Sequence, residues 1–279
     1  MPKKITKKQK ERQKKLKLFI IAASILLCGC IAGIVTLCAN LLATDSFEKI
    51  DRVKEIEKTR KKDKEGYKTI GWLRVQGTKI DTPIVAYEDV ESLDNISIDD
   101  YLWNEDGGEK LYNRVNIQGH NILNLSANPE IGKDYFTRFD DLMSFVYLDF
   151  VKDNKYIQYT IDGKNYIYKI FAVYFEEKYN LDLYHKGNYD NTDIQTFIDK
   201  SKKASLYNFD IDVEKDDAII TLITCTRMYG MNDRKQFVVA GRMLRDDEKI
   251  ENYKVEGTKN YDDLKEWMEG DKVDEENEI

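Results

Sequence analysis

Short runs of β-branched and apolar residues, separated by polar segments holding Gly, Asn and Asp, recur from residue 66 to residue 245. Thr69–Val75 and Lys79–Ala86 are strand-like, and Gly77-Thr78 between them signals a turn. Glu88–Asp106 has the composition of a polar loop with one apolar patch, Tyr101-Leu102-Trp103, before the break at Gly107-Gly108. Leu111–Gln118 is a further strand candidate and ends at Gly119-His120-Asn121. Phe145–Val151 predicts another strand. Lys155–Ile161 and Asn165–Val173 flank Asp162-Gly163, a dipeptide suited to tight hairpin turns. Ala218–Thr224 has the signature of a strand buried on at least one face, and Phe237–Ala240 is a second strand-like run. The pattern predicts a mainly β core.

Helical spacing occurs at three places. Ile50, Val53 and Ile56, with Phe47, mark one face of a charged segment from Ser46 to about Asp63. That segment is either a solvated stalk or a helix packed on the body. Thr192 to Gln195 fits a capping box, and Ile194, Phe197 and Ile198 supply an apolar face behind it. Lys200, Lys202 and Lys203 lie near the far end, where cations suit the helix dipole. Tyr261–Met268 suits a short helix, and the acidic run Glu269–Ile279 predicts disorder.

Leu18–Thr44 carries no charged side chain, longer than the roughly 20 residues that span a bilayer. A cleaved signal peptide has an apolar core of only about 7–15 residues and a small-residue cleavage site, so an uncleaved anchor is the expectation. Residues 3–17 are dense in Lys and Arg, with Glu11 the only acid, which predicts a cytoplasmic N-terminus and an outward-facing remainder. The net charge of −7 therefore combines a basic head with an acidic tail after Arg245. No broad basic surface or zinc-type Cys/His spacing appears, and nucleic acid is not an expected partner.

Of the four cysteines, Cys28, Cys30 and Cys38 lie in the apolar segment. Cys225 is alone at the end of its strand, with no disulfide partner in the rest of the chain. It is either a buried small apolar residue or a reactive thiol. The two histidines are His120, closing a strand after Gly119, and His185, in a polar loop. Taken singly, a His at a strand end is a hydrogen-bonded structural residue. Taken with Cys225 it suggests Cys-His nucleophilic catalysis, which needs two such residues close in space and remote in sequence.

Thr221-Leu222-Ile223-Thr224-Cys225 resembles the cysteine motif of the sortases, the cysteine transpeptidases of Gram-positive cell surfaces, and Gly119-His120 resembles their histidine motif. Ile70-Gly71-Trp72, Gly77–Asp81 and Pro83-Ile84-Val85 are similar to the opening of the class B domain, as is the helix near 192–203. The resemblance covers roughly residues 66–245. It implies a closed eight-stranded β-barrel with an N-terminal helical segment and an inserted helix before the Cys strand. It further implies Cys225 as nucleophile, His120 as proton shuttle and an Arg that stabilises the oxyanion or clamps the substrate. On that resemblance Arg234, nine residues after Cys225 at the start of the next strand, is the expected Arg; in many relatives the Arg stands immediately before the apolar run, where Lys235 and Gln236 intervene here, and alternation keeps Arg234 on one face with Gln236. Arg227 is the runner-up, and Arg242 is expected to be a barrel residue. Thr224 and Leu222 are expected substrate-binding residues. No metal or organic cofactor is required.

The layout expected is a basic cytoplasmic segment 1–17, a transmembrane anchor 18–44, a helical stalk 45–65, a catalytic domain 66–245 and an acidic tail 246–279. The partners implied are secreted proteins with a C-terminal sorting signal, an amine of a peptidoglycan precursor, and the membrane. Two other functions remain open: an extracellular cysteine protease of another type, and a membrane-anchored, non-catalytic β-barrel binding module.

Overall fold

The structure is a computed structural model that describes residues 47–63, 67–87, 102–104, 110–121, 139–177, 188–226, 228–229 and 235–277. The chain divides into two compact units, Met1–Ser46 and Phe47–Ile279. The basic segment and the expected transmembrane anchor lie outside the described residues. Among the described residues no helix is long and apolar enough to cross a membrane.

Eight strands form the body: β1 (Tyr67–Val75), β2 (Asp81–Tyr87), β3 (Leu102–Asn104), β4 (Arg114–Gln118), β5 (Tyr156–Ile161), β6 (Lys164–Glu177), β8 (Ile219–Thr226) and β9 (Lys235–Met243). Two short strands, β7 (Tyr207–Phe209) and β10 (Val255–Gly257), pair with each other in a separate ribbon. Hydrogen bonds link the eight in the order β1-β2-β3-β4-β8-β9-β6-β5, and β5 bonds back to β1. Among the described residues β3 meets β2 at Ile84–Leu102 and Val85–Trp103, and β4 at Trp103–Gln118 and Asn104–Ile117. Two joins are parallel, β2 with β3 and β4 with β8; the others are antiparallel.

Alternation sorts the side chains into two cores. Leu73, Ile84, Val115, Ile117, Ile157, Tyr159, Tyr168, Ile170, Ile220, Leu222, Phe237 and Val239 fill the barrel. Ile219, Ile223, Val238, Ala240, Ala172 and Tyr174 face the other way. They pack under Ile194, Phe197 and Ile198 of the inserted helix, α3 (Asn191–Ala204). That helix was expected to start in a Thr192 capping box. Instead Asp190 is the cap, accepting from Thr192 N–H at 2.8 Å and Asp193 N–H at 2.9 Å. An Asp two residues earlier reaches the same orphan donors, so Thr192 falls inside the first turn.

The hairpin between β5 and β6 turns at Asp162 (φ 51°) and Gly163 (φ 68°), the paired left-handed conformation that such two-residue loops need. Phe145–Val151 is not a strand. Asp140–Val146 is a 3-10 turn and Leu148–Asp153 is α2. An apolar run this short carries no decisive period. The hydrogen bonds decide it: Asp141 accepts from Ser144 Oγ at 2.8 Å and from Lys79 N–H at 2.7 Å, which ties the turn to β2's approach. Within the stretch expected to be a polar loop, Leu102–Asn104 is the strand β3; the rest of that stretch lies outside the described residues.

The segment before β1 is packed rather than solvated. Helix α1 (Val53–Arg60) buries Ile56, and Phe47 stacks on Tyr156. Gln158 clasps Ile50 through both its N–H and its C=O, and Arg52 pairs with Asp81. The C-terminal segment is likewise part of the fold. Helix α4 runs Lys259–Asn277, beyond the short helix expected, because Leu264 is buried in the barrel core and Tyr261, Trp267 and Met268 pack against it. The tail predicted to be disordered from Glu269 is thus helical to Asn277.

Candidate active site

β4 and β8 run parallel and in step: Arg114 lies opposite Ile219, Asn116 opposite Thr221, Gln118 opposite Ile223. Beyond the last pair, Gly119 N–H donates to Ile223 C=O at 3.1 Å. The Thr224 hydroxyl donates to Gly119 C=O at 2.7 Å. His120 and Cys225 each stand two residues beyond the last pair, at the same end of strands that lie about 4.8 Å apart. The residues of this sequence that most resemble a thiol and its proton carrier thus meet at the same end of one strand pair.

They also share a face. On β4, Val115 and Ile117 point into the barrel, so Arg114, Asn116, Gln118 and then His120 point outward. On β8, Ile220 and Leu222 point inward, so Ile219, Ile223 and then Cys225 point outward. Helix α3 covers the lower part of this face through Ile219 and Ile223. Cys225 and His120 lie past it and are both partly exposed. Cys225 is a free thiol. The backbone around His120 is held on the far side as well, since Phe139 N–H donates to His120 C=O at 2.8 Å.

The third strand of the site is β9, antiparallel to β8, with Gln236 directly opposite Cys225 and Lys235 opposite Thr226. Gln236 is buried and shares the thiol's face. In the sequence Gln236 serves only to orient Arg234. The signal that marks it in the sequence is its place immediately before the apolar run Phe237–Ala240. Arg234 and Arg227 lie outside the described residues.

The remaining expected residues separate clearly. Leu222 is fully buried in the barrel core, and Thr224 is buried with its hydroxyl committed to Gly119. Both shape the end of β8 and present no open surface to a ligand. Arg242 is a barrel residue, as expected. Its guanidinium is fully buried, paired with Glu248 and at 3.3 Å with Asp212, at the opposite end of β9 from Gln236. His185 lies outside the described residues.

Residues 73–244 match the profile of the sortase domain. The chain belongs to the sortase family, whose members are cysteine transpeptidases. Within that family it is similar to class B. It is 28% identical to sortase B of Listeria monocytogenes over 212 residues, covering 70% of this chain and 74% of that protein. It is 25% identical to sortase B of Staphylococcus aureus over 173 residues, covering 61% and 68%. Among solved structures, a Cys-to-Ser mutant form of Clostridium perfringens sortase B superposes with a TM-score of 0.53 at 25% identity, covering 69% of this chain and 88% of that one.

Proposed function

We propose that this protein is a membrane-anchored transpeptidase that cleaves a C-terminal sorting signal of secreted proteins and joins the product to a cell-wall amine, with Cys225, His120 and Arg234 as its catalytic residues. The observation that carries the reading is the shared register and face of His120 and Cys225. The Cys225 thiolate attacks the carbonyl carbon of a peptide bond in the sorting signal, forming a tetrahedral oxyanion. The Arg234 guanidinium stabilises that charge or clamps the substrate backbone. His120 gives its proton to the leaving amine as the C–N bond breaks, which leaves a Cys225 thioester. An acceptor amine, from a peptidoglycan precursor, then attacks the thioester. His120 takes up its proton, a new amide forms and the thiolate returns. The scheme needs no metal or organic cofactor.

Residues 1–17 are the cytoplasmic flank and Leu18–Thr44 the membrane span of this reading, supported by the basic cluster and the charge-free run. An enzyme held at the membrane meets substrates as they emerge, which raises their effective concentration without altering the chemistry.

The test is turnover of peptides bearing C-terminal sorting signals, with and without added oligoglycine. Cys225→Ala and His120→Ala should each abolish transfer and leave the domain folded by circular dichroism. Retained turnover in Cys225→Ala would sink the mechanism. Release of free acid even with excess amine would favour a protease. Protease treatment of intact protoplasts should digest the protein after Asp45 and spare the residues before Leu18; protection of the Cys225 domain would reverse the topology.

A further inference from the structure

The matched sortase domain ends at residue 244, and this chain continues through β10 into α4. Trp267 of α4 lies against Tyr229, with ring centroids 5.0 Å apart and planes inclined by 34°. Tyr229 belongs to the turn that leaves β8, four residues after Cys225. Its ring meets Phe175 of β6 edge-on at 5.2 Å, and Lys235 of β9 places its ammonium 4.6 Å from the ring centre. Three elements thus converge on one side chain of the turn. The backbone before it is pinned too: Met228 N–H donates to Thr226 Oγ1 at 3.2 Å, and the Met228 side chain is buried in the barrel core.

Other side chains besides Trp267 dock α4. Leu264 is buried in the core and the Tyr261 ring packs at 5.2 Å from Tyr207. Tyr207 is itself fixed by its hydroxyl, which donates to Val146 C=O. Trp267 sits about one turn further along and reaches the turn after the Cys strand. A thiol that must be held about 3–3.5 Å from a carbonyl carbon in the right direction gains from such a brace, since a misplacement of about 1 Å is costly in rate.

We propose that α4 braces Met228-Tyr229, just after β8, and that Trp267 is a positioning residue for Cys225, acting through Tyr229. The inference rests on the reading of Cys225 as the nucleophile. The full chain is compared as wild type, Trp267→Ala, Trp267→Phe, Tyr229→Ala and the Trp267→Ala/Tyr229→Ala pair. Ile56→Ala, in α1, serves as a control that loses stability elsewhere. Two readouts are taken: kcat and KM on a sorting-signal peptide, and the pH profile of Cys225 alkylation by iodoacetamide. Trp267→Ala should lower kcat about three- to tenfold, the size expected from losing one aromatic pair, with KM little changed. It should also alter the alkylation profile. Trp267→Phe should restore most of both. The double variant should be no worse than Tyr229→Ala alone, because the two residues act as one unit. An unchanged kcat and alkylation profile in Trp267→Ala would overturn the proposal. So would a loss that matches Ile56→Ala at equal melting temperature. Turnover surviving in Cys225→Ala would instead overturn the underlying assignment of the nucleophile, a distinct result.

Discussion

The Thr224 hydroxyl donates to the Gly119 carbonyl at 2.7 Å across 105 residues of sequence, one position before both Cys225 and His120. It is a side-chain staple between β4 and β8 at the point where their ladder ends. The site's two partners are therefore spaced by a hydrogen bond that takes no part in the chemistry.

Thr224→Val keeps the shape of the side chain and removes the hydroxyl. It should cost about 1–3 kcal/mol of stability, because a buried carbonyl is left unpaired. Turnover should fall by more than the stability loss explains, since His120 and Cys225 lose their common tether. Melting curves and kcat/KM measured together check this; normal turnover with lowered melting temperature would make the staple purely structural.

Arg234→Ala should lower turnover by about 10²–10³-fold, as losing an oxyanion donor does, while melting like the wild type. Arg234→Lys should rescue poorly, because an ammonium lacks the planar fork. Arg242→Ala should behave oppositely. It removes the closest partner of Glu248 while Lys169 and the Arg245 N–H remain, so the variant should be destabilised by about 1.5–3 kcal/mol. A dead but stable Arg242→Ala would contradict this division. An active Arg234→Ala beside an inactive Arg227→Ala would move the role to Arg227.

Glu248 sets an acid limit on stability. Hydrogen bonds from Arg242 hold its carboxyl well below the usual carboxylate range, against the opposing effect of burial; the Arg245 N–H and the Lys169 ammonium, at 2.9 Å each, add to them. A lowered folded-state value means the unfolded chain binds the proton first. This stabilisation is complete above about pH 4.3, the ordinary glutamate value, and is lost as pH falls below it. Glu248→Gln should therefore be less stable at pH 7, and the gap to wild type should shrink as the pH is taken from about 5 towards 2. Urea midpoints across that range test it, and a gap that stays constant would remove Glu248 from the account.

Gly71 and Gly163 should tolerate alanine very differently. A Cβ at Gly71 would stand 2.7 Å from the Thr160 carbonyl oxygen and 2.8 Å from the Tyr159 ring, where β1 bulges against β2 and pairs with β5. Gly71→Ala should cost about 1–3 kcal/mol or more, since a backbone atom cannot yield. Gly163 has open space around it and only its φ of 68° to resist, so Gly163→Ala should cost about 1–2 kcal/mol. Thermal melts of the two variants decide the order.

Much of the site was legible in the sequence because its elements are local. The run ending in Cys225, the Gly119-His120 strand end and the Asp162-Gly163 turn each carry their signal within a few residues, and the strands that bear them lie close to where the pattern put them. What tertiary structure decided were relations between distant segments. Phe145–Val151 became a 3-10 turn and a helix because Asp141 found Ser144 and the Lys79 backbone, partners that no local pattern announces. Leu102–Asn104 became a strand only because β2 and β4 offered it edges on both sides. The same holds for Leu222 and Thr224: the motif picks them out, but only the inward turn of the pleat and the Gly119 carbonyl assign them to the frame of the site. The acidic tail shows the limit most plainly. Its composition predicts disorder, yet Tyr261, Leu264 and Trp267 bury enough apolar surface on the barrel to order a helix whose own sequence would not hold it.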